Sequence, residues 1–221
     1  MIKPYYETEN GVLYHGDALK VLKSFPDNSF DAVVTDPVWP NVPEGLLSGS
    51  EDPLRLFKRV ARHFPRLSSR VAVQLGCDSD PRFLKALPKE MPFLRACWLK
   101  YCVPGYKGRL LNTGDVAYVY GSWPSSRPGR RVLPGEVTNT ESKSIRLGNN
   151  HPCPRRLSHV LWLVGWFADG PVLDPFMGSG TTAIAAEKYG LPWVGIEIDE
   201  RYCETAAKRI EQERSQLKLC L

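Results

Sequence analysis

Long apolar runs are missing from this chain: nothing approaches the roughly eighteen consecutive apolar residues of a membrane-spanning helix. The opening residues, Met1-Ile2-Lys3-Pro4-Tyr5-Tyr6, have neither the apolar stretch nor the small-residue cleavage site of a signal peptide. A cytoplasmic protein with no membrane association is expected, in the host cytoplasm if a phage encodes it. Paired cysteines are missing too. The six present (Cys77, Cys97, Cys102, Cys153, Cys203 and Cys220) show no Cys-x-x-Cys spacing, which speaks against a disulfide framework and against a zinc site. Free thiols and no metal are expected. There is no repeat of solenoid length and no low-complexity linker. The chain has 221 residues, 43% of them hydrophobic, which suits a single domain spanning residues 1–221.

A strong excess of one charge is also absent. The formal net charge of +5 is compatible with a nucleic-acid partner without requiring one, because phosphate binding depends on where cations cluster. Lys107, Arg109, Arg127, Arg130, Arg131, Lys143 and Arg146 gather in the Gly/Pro/Ser-rich middle of the chain and are the candidate nucleic-acid contacts. A solvated loop surface accounts for them equally well.

What the chain does have is alternation. Short β-branched or aromatic runs bounded by turn residues predict strands over Val12–His15, Phe30–Thr35, Arg70–Leu75, Arg95–Tyr101, Val116–Tyr120, Val172–Asp174 and Trp193–Glu197. Between them lie amphipathic segments. Leu54–His63 puts Leu56, Val60 and Phe64 on one side, and Arg156–Ala168 groups Leu157, Val160, Leu161, Val164 and Phe167. Asp199 can cap a last helix carrying Tyr202, Ala206 and Ile210. This order predicts an α/β fold: a mainly parallel sheet with helices on both faces. Two stretches rich in Pro, Gly, Ser and Asn, residues 40–53 and 122–150, interrupt the pattern and are expected to overhang the ligand-binding edge of the sheet as loop insertions that contact the nucleic acid.

The sharpest local signal is Val172-Leu173-Asp174-Pro175-Phe176-Met177-Gly178-Ser179-Gly180-Thr181-Thr182, a strand entering Gly-x-Gly and then a helix. The next strand ends in Glu197-Ile198-Asp199, where a carboxylate can accept both hydroxyl groups of a ribose. A plain tight turn would use the same glycines. A nucleoside triphosphate fits less well, since no Gly-Lys-Ser/Thr follows, and Asp174 argues against a pyrophosphate and for a cationic, zwitterionic ligand.

This stretch closely resembles the D-P-F-x-G-S-G-T-T cofactor motif of the amino-directed (N4-cytosine/N6-adenine) DNA methyltransferases. The resemblance implies that S-adenosylmethionine lies over the turn formed by Asp174, Pro175, Phe176, Gly178, Ser179, Gly180, Thr181 and Thr182, with Glu197 and Ile198 beside its ribose.

Upstream, the strand Phe30-Asp31-Ala32-Val33-Val34-Thr35 ends in Asp36-Pro37-Val38-Trp39. Asp-Pro is a common turn starter, so a loop with a buried tryptophan is one reading. The other is chemical. The exocyclic amino nitrogen of adenine or cytosine is a poor nucleophile, because its lone pair is delocalised into the ring. Hydrogen bonds from it to Asp36 and to the Pro37 carbonyl would draw it toward tetrahedral geometry, and Trp39 can stack on a base outside the duplex. The run Leu13-Tyr14-His15-Gly16-Asp17, then Pro26 to Asp31 and Thr35-Asp36-Pro37, resembles the start of the same family, whose usual catalytic tetrapeptide is D-P-P-Y. This chain departs from it at Val38 and Trp39: the stacking face is kept, and the hydroxyl and the second stiffening proline are lost. The resemblance further implies that Asp17 holds the amino group of the cofactor adenine.

His151-Pro152-Cys153-Pro154-Arg155-Arg156 is similar to the family's H-P-T-Q-K-P element, with Arg155 at the lysine position. That likeness implies that Arg155 pairs with the cofactor carboxylate and that His151 assists. The tetrapeptide precedes the cofactor turn, the motif order of the circularly permuted beta group, which implies a Rossmann-like methyltransferase fold with a seven-stranded sheet and one antiparallel strand. Pro152-Cys153 suggests carbon-5 cytosine chemistry, but it stands before a helix while Asp36 holds the strand-end position.

The expected function is therefore methyl transfer to an amino group of a flipped base in double-stranded DNA. Adenine N6 is favoured, in an enzyme of orphan, phage or restriction–modification type, with a homodimer allowed for. Cytosine N4 methylation, an RNA base methyltransferase and a degenerate member that binds DNA or cofactor without turnover stay open as alternatives.

Overall fold

The computed structural model describes residues 3–141 and 155–219. His151, Lys143 and Arg146 lie outside the described residues, as do Cys153 and Cys220. Among the described residues nine strands form one sheet: β1 (Tyr6–Glu7), β2 (Gly11–His15), β3 (Phe30–Thr35), β4 (Ser68–Gly76), β5 (Phe93–Lys107), β6 (Leu110–Gly121), β7 (Glu136–Thr138), β8 (Val172–Asp174) and β9 (Trp193–Glu197). The helices are α1 (Ala18–Val21), α2 (Pro53–Ala61), α3 (Phe64–Leu67), α4 (Leu157–Phe167), α5 (Thr181–Lys188) and α6 (Glu200–Leu219).

The spatial order is β1-β2-β9-β8-β3-β4-β6-β5-β7. The expectation of seven strands with one antiparallel member is corrected to nine with two: β6 runs antiparallel to β4 and β5, and β1 antiparallel to β2. All seven sequence-predicted strands are present. The two extra ones, β1 and β7, are edge strands of two and three residues, too short to carry a period-two pattern.

The sheet is buried on both faces because successive side chains of its strands feed different cores. Val33, Val71, Val73 and Leu173 pack with Phe57, Val60, Phe64 and Leu67 of α2 and α3. Their neighbours Ala32, Val34, Ala72 and Val172 pack with Val160, Leu163, Val164 and Phe167 of α4. A third cluster joins Leu13 and Trp193 to Ala183 and Ile184 of α5 and to Cys203, Ala206 and Ile210 of α6. No helix among the described residues is long and apolar enough to cross a membrane.

Caps set where the elements begin. Asp52 accepts the Arg55 amide at 3.0 Å ahead of Pro53, which suits the first turn of α2 because it has no amide hydrogen to leave unpaired. Asp199 accepts the Arg201 amide at 2.9 Å at the start of α6. With β2, β9, β8, β3 and β4 parallel, their carboxyl ends form one edge of the sheet, and the loops that leave it meet there.

Candidate active site

At that edge one cavity is lined by both halves of the sequence pattern. Asp36, Pro37, Val38 and Trp39 follow β3. Asp174, Pro175, Phe176, Gly178, Ser179, Thr181 and Thr182 follow β8. Glu197, Ile198 and Asp199 follow β9, and Gly16 and Asp17 follow β2; all line the same cavity. Leu47, Ser48 and Gly49 of the 40–53 segment also line it, with Gln74 of β4, Arg155 and Tyr202 of α6 completing the wall.

The turn after β8 is organised by Asp174. Its carboxylate is buried and accepts from Thr35 Oγ1 at 2.8 Å, the Phe176 amide at 3.0 Å and Thr182 Oγ1 at 2.7 Å. Burial pushes its carboxyl up to about 6, against the pull of those hydrogen bonds, with the Asp36 charge adding to the rise. Gly178 and Gly180 have φ of 52° and 84°, the left-handed region that favours glycine. Gly180 does not line the cavity. It sits behind the turn, where an added Cβ would come within 2.9 Å of Ala206 Cβ, so its role is to let α5 start against α6. Arg209 of α6 donates to Ser179 Oγ at 2.9 Å and to Thr181 Oγ1 at 3.3 Å, bracing the turn from behind.

Glu197 accepts the Gly178 amide at 2.8 Å and the Asp199 amide at 2.9 Å, one on each oxygen. A carboxylate has about four lone-pair sites, so acceptor capacity toward a hydroxyl in the cavity remains. Burial raises its carboxyl above the usual range, opposed by these backbone donors. Asp17 accepts the Leu19 amide at 2.9 Å and caps α1, which fixes its carboxylate at the rim.

The other end of the cavity is closed by an ion pair. Arg155 donates from Nε to Asp36 Oδ2 at 2.6 Å and from Nη2 to Asp36 Oδ1 at 2.7 Å, the parallel fork that guanidinium and carboxylate geometry favour. Its Nη1 reaches Asp115 Oδ2 at 3.1 Å, and Gln74 Nε2 donates to the same oxygen at 2.9 Å. The guanidinium also lies 5.9 Å from the centre of the Trp39 ring. Burial raises the Asp36 carboxyl while the Arg155 charge works to lower it. Arg155 thus holds the strand-end carboxylate, whereas the motif resemblance implies a pairing with the cofactor carboxylate. Asp115, Gln74 and Arg209 carry no motif; only their place in the fold brings them to the site.

The basic candidates separate. Arg130 is buried and pairs with Asp169, and it donates to the Ser125, Trp166 and Ala168 carbonyls. That position lies beyond the end of α4, beside Asp31 at the start of β3, and so at the sheet edge opposite the cavity. Arg130 is corrected from a nucleic-acid contact to a brace of the α4 end. Arg127, its side chain half exposed, stands 4.0 Å from the same Asp169, and the Ser125 amide at the start of the 122–150 segment donates to Asp169 at 2.9 Å. Arg131 and Arg109 are exposed.

Known proteins match this architecture. A family model described as DNA methylase, for the N6/N4 methyltransferases, matches residues 96–208. The Type II methyltransferase M.ScaI of Streptomyces caespitosus is 30% identical over 97% of this chain and 86% of its own length. The Type II methyltransferase M2.DpnII of Streptococcus pneumoniae is 45% identical over 96% of this chain and 94% of its own. Among solved structures, the cytosine-N4-specific PvuII DNA methyltransferase has a TM-score of 0.71 at 21% identity, covering 97% of this chain and 94% of that one. A DNA modification methylase of Thermus thermophilus, solved with S-adenosyl-L-methionine, has a TM-score of 0.64 at 25% identity, covering 91% and 93%. A strand-end carboxylate and a glycine turn facing one cavity, on a fold shared with these enzymes, have one accounting: the chain belongs to the N4-cytosine/N6-adenine family of DNA methyltransferases.

Proposed function

We propose that this methyltransferase acts on the N6 amino group of an adenine flipped out of duplex DNA, at the end of the cavity formed by Asp36, Pro37 and Trp39. The observation that carries this reading is that Asp36 and the Gly178/Glu197 turn line the same cavity. S-adenosylmethionine is the cofactor, and when bound it supplies a methyl group on a positively charged sulfur. The cavity fits it: the Glu197 oxygens have acceptor capacity for a diol, Asp17 stands at the rim, and the wall carries acidic groups suited to a cationic ligand. Phe176 and Ile198 supply the apolar part of that wall.

At the other end the residues of this chain handle the base. A target amine in a duplex must leave the stack, and Trp39 offers a face on which the extruded ring can lie. The amino hydrogens are accepted by Asp36 and the Pro37 carbonyl, which localises the nitrogen lone pair and aims it into the cavity. Asp36 must be ionised to do this: burial works against that form and the Arg155 guanidinium works for it. Entry of the base displaces part of the Arg155 fork from Asp36, while Asp115 and Gln74 keep the guanidinium at the wall.

An aspartate at the first catalytic position favours adenine mildly, since cytosine enzymes often carry serine there. The placement of this motif before the cofactor turn fits the circularly permuted beta group, and one domain spanning residues 1–221 fits the continuous sheet. The test is nucleoside analysis of DNA and RNA from cells expressing the chain. N6-methyladenine in DNA supports the reading. N4-methylcytosine corrects the base, label in RNA alone corrects the polymer, and no methylated nucleoside despite measurable cofactor binding makes the chain a non-catalytic member.

A further inference from the structure

The cavity occupies only part of the active edge; beside it stands an arm. β4 ends at Gly76, paired with Asp115 of β6, yet β6 begins at Leu110 and β5 runs on to Lys107. Past an irregularity between Lys100 and Gly105, the ladder resumes through Gly105–Asn112, Tyr106–Leu111 and Lys107–Leu110. At about 3.4 Å per residue this two-stranded ribbon extends at most about 17 Å past the end of β4. It projects from the edge that holds Asp36, Asp174 and Glu197, because β6 is antiparallel to β4 and its amino end therefore points the same way as the carboxyl end of β4. Two strand spacings, about 10 Å, separate β3 from β6.

The tip is built unlike the rest of the surface. Tyr106 is 83% exposed, Leu110 62% and Leu111 52%, and Arg109 is exposed between them. From Met91 to Gly114 the sequence contains Arg95, Lys100, Lys107 and Arg109 and no acidic residue. Arg95 is turned inward to the Leu133 carbonyl and Lys100 pairs with Glu136, which leaves Arg109 as the exposed cation of this stretch among the described side chains.

We infer that the ribbon tip formed by Tyr106, Arg109, Leu110 and Leu111 enters the major groove of duplex DNA next to the extruded base and reads the flanking sequence. This rests on the DNA-methylating function proposed above. The major groove admits a two-stranded ribbon, arginine is the side chain that binds guanine edges bidentately, and apolar groups meet thymine methyls there. A second copy of this chain is a poorer occupant. An isologous contact would bring each Arg109 toward its own symmetry mate, with no carboxylate in either ribbon to balance it.

The experiment uses the full chain as wild type, as Arg109→Ala and as Tyr106→Ser/Leu110→Ser/Leu111→Ser. Three quantities are measured: S-adenosylmethionine affinity, kcat/KM on a duplex library whose methylated positions are sequenced, and molecular mass in solution. Because the altered side chains are exposed, thermal stability and cofactor affinity stay at wild-type values. The triple variant loses about tenfold or more in kcat/KM, and Arg109→Ala relaxes preference at a single flanking position. The inference is overturned if wild type methylates duplex DNA and both variants do so with the same kcat/KM at the same positions. It is equally overturned if the variants only convert a dimer to a monomer. If wild type methylates no DNA, the proposed function falls and this inference with it.

Discussion

The Arg155 guanidinium grips both carboxylate oxygens of Asp36, at 2.6 and 2.7 Å, across 119 residues of sequence. With side chains only 11% and 21% exposed, this is a largely buried pair, and Asp115 at 3% draws the arginine deeper. Removing one partner leaves an uncompensated charge, which costs about 3–5 kcal/mol in such settings. Arg155→Met should therefore lower unfolding free energy by about 3 kcal/mol, and adding Asp36→Asn should recover part of the loss. Chemical denaturation of the two single variants and the double checks this; strictly additive effects would show that the pair is not coupled.

Much of the site was legible because its signals are local. The β8 turn and the strand-end Asp36 each occupy a few consecutive residues whose types dictate a strand, an exit and a helix start. The cavity then follows from parallel strands ending at one edge. What escaped was set by tertiary placement. Asp115 lies mid-strand in β6, Gln74 mid-strand in β4 and Arg209 mid-helix in α6, positions with no sequence signature. Arg130 failed the other way: a loop arginine in a basic stretch reads as a phosphate contact, yet it is buried against Asp169 and α4 carbonyls. The length of the β5–β6 ribbon was hidden because its tip alternates nothing against a core, so only the buried halves of the two strands showed a pattern.

Asp174 makes stability depend on pH. Its carboxyl is raised from 3.8 to about 6 in the folded chain, so the folded state binds the proton more tightly than the unfolded state does. The contribution is fully favourable below the unfolded value and is lost as pH rises through about 6. The shift corresponds to roughly 3 kcal/mol, an order-of-magnitude figure. Comparing wild type with Asp174→Asn by urea unfolding at several pH values between 4 and 7 should show the difference between them changing across this window in that direction. A constant difference would mean that the buried carboxyl is not perturbed.

Trp39 gives a prediction about the base. Trp39→Ala should lower kcat/KM on duplex DNA by about tenfold to a hundredfold, in line with a stacking contribution of about 1–3 kcal/mol per base. Trp39→Tyr, which keeps a ring, should stay within a few-fold of wild type, and cofactor affinity should be unchanged in both. If alanine and tyrosine behaved alike, stacking would not be the role of this side chain.

Gly180 tests the scaffold behind the turn. An alanine there meets a φ of 84° and places Cβ 2.9 Å from Ala206. The conformational cost alone is about 1–2 kcal/mol, and the contact with α6 adds to it. Gly180→Ala should melt earlier, whereas Gly45→Ala, at φ 78° with nothing within 4 Å, should show the conformational cost only. Equal melting temperatures for the two would argue that α6 yields freely.

The joining of two ends in one cavity is tested most directly by Asp36→Ala. Methyl transfer from radiolabelled S-adenosylmethionine to duplex DNA is measured for wild type and variant, alongside cofactor affinity and thermal stability. The expected result is at least about a hundredfold loss of transfer, the scale on which positioned acid–base groups act, with the cofactor still bound. Transfer at the wild-type rate by a folded Asp36→Ala protein would contradict the assignment of the β3 tip as the place where the amine is held.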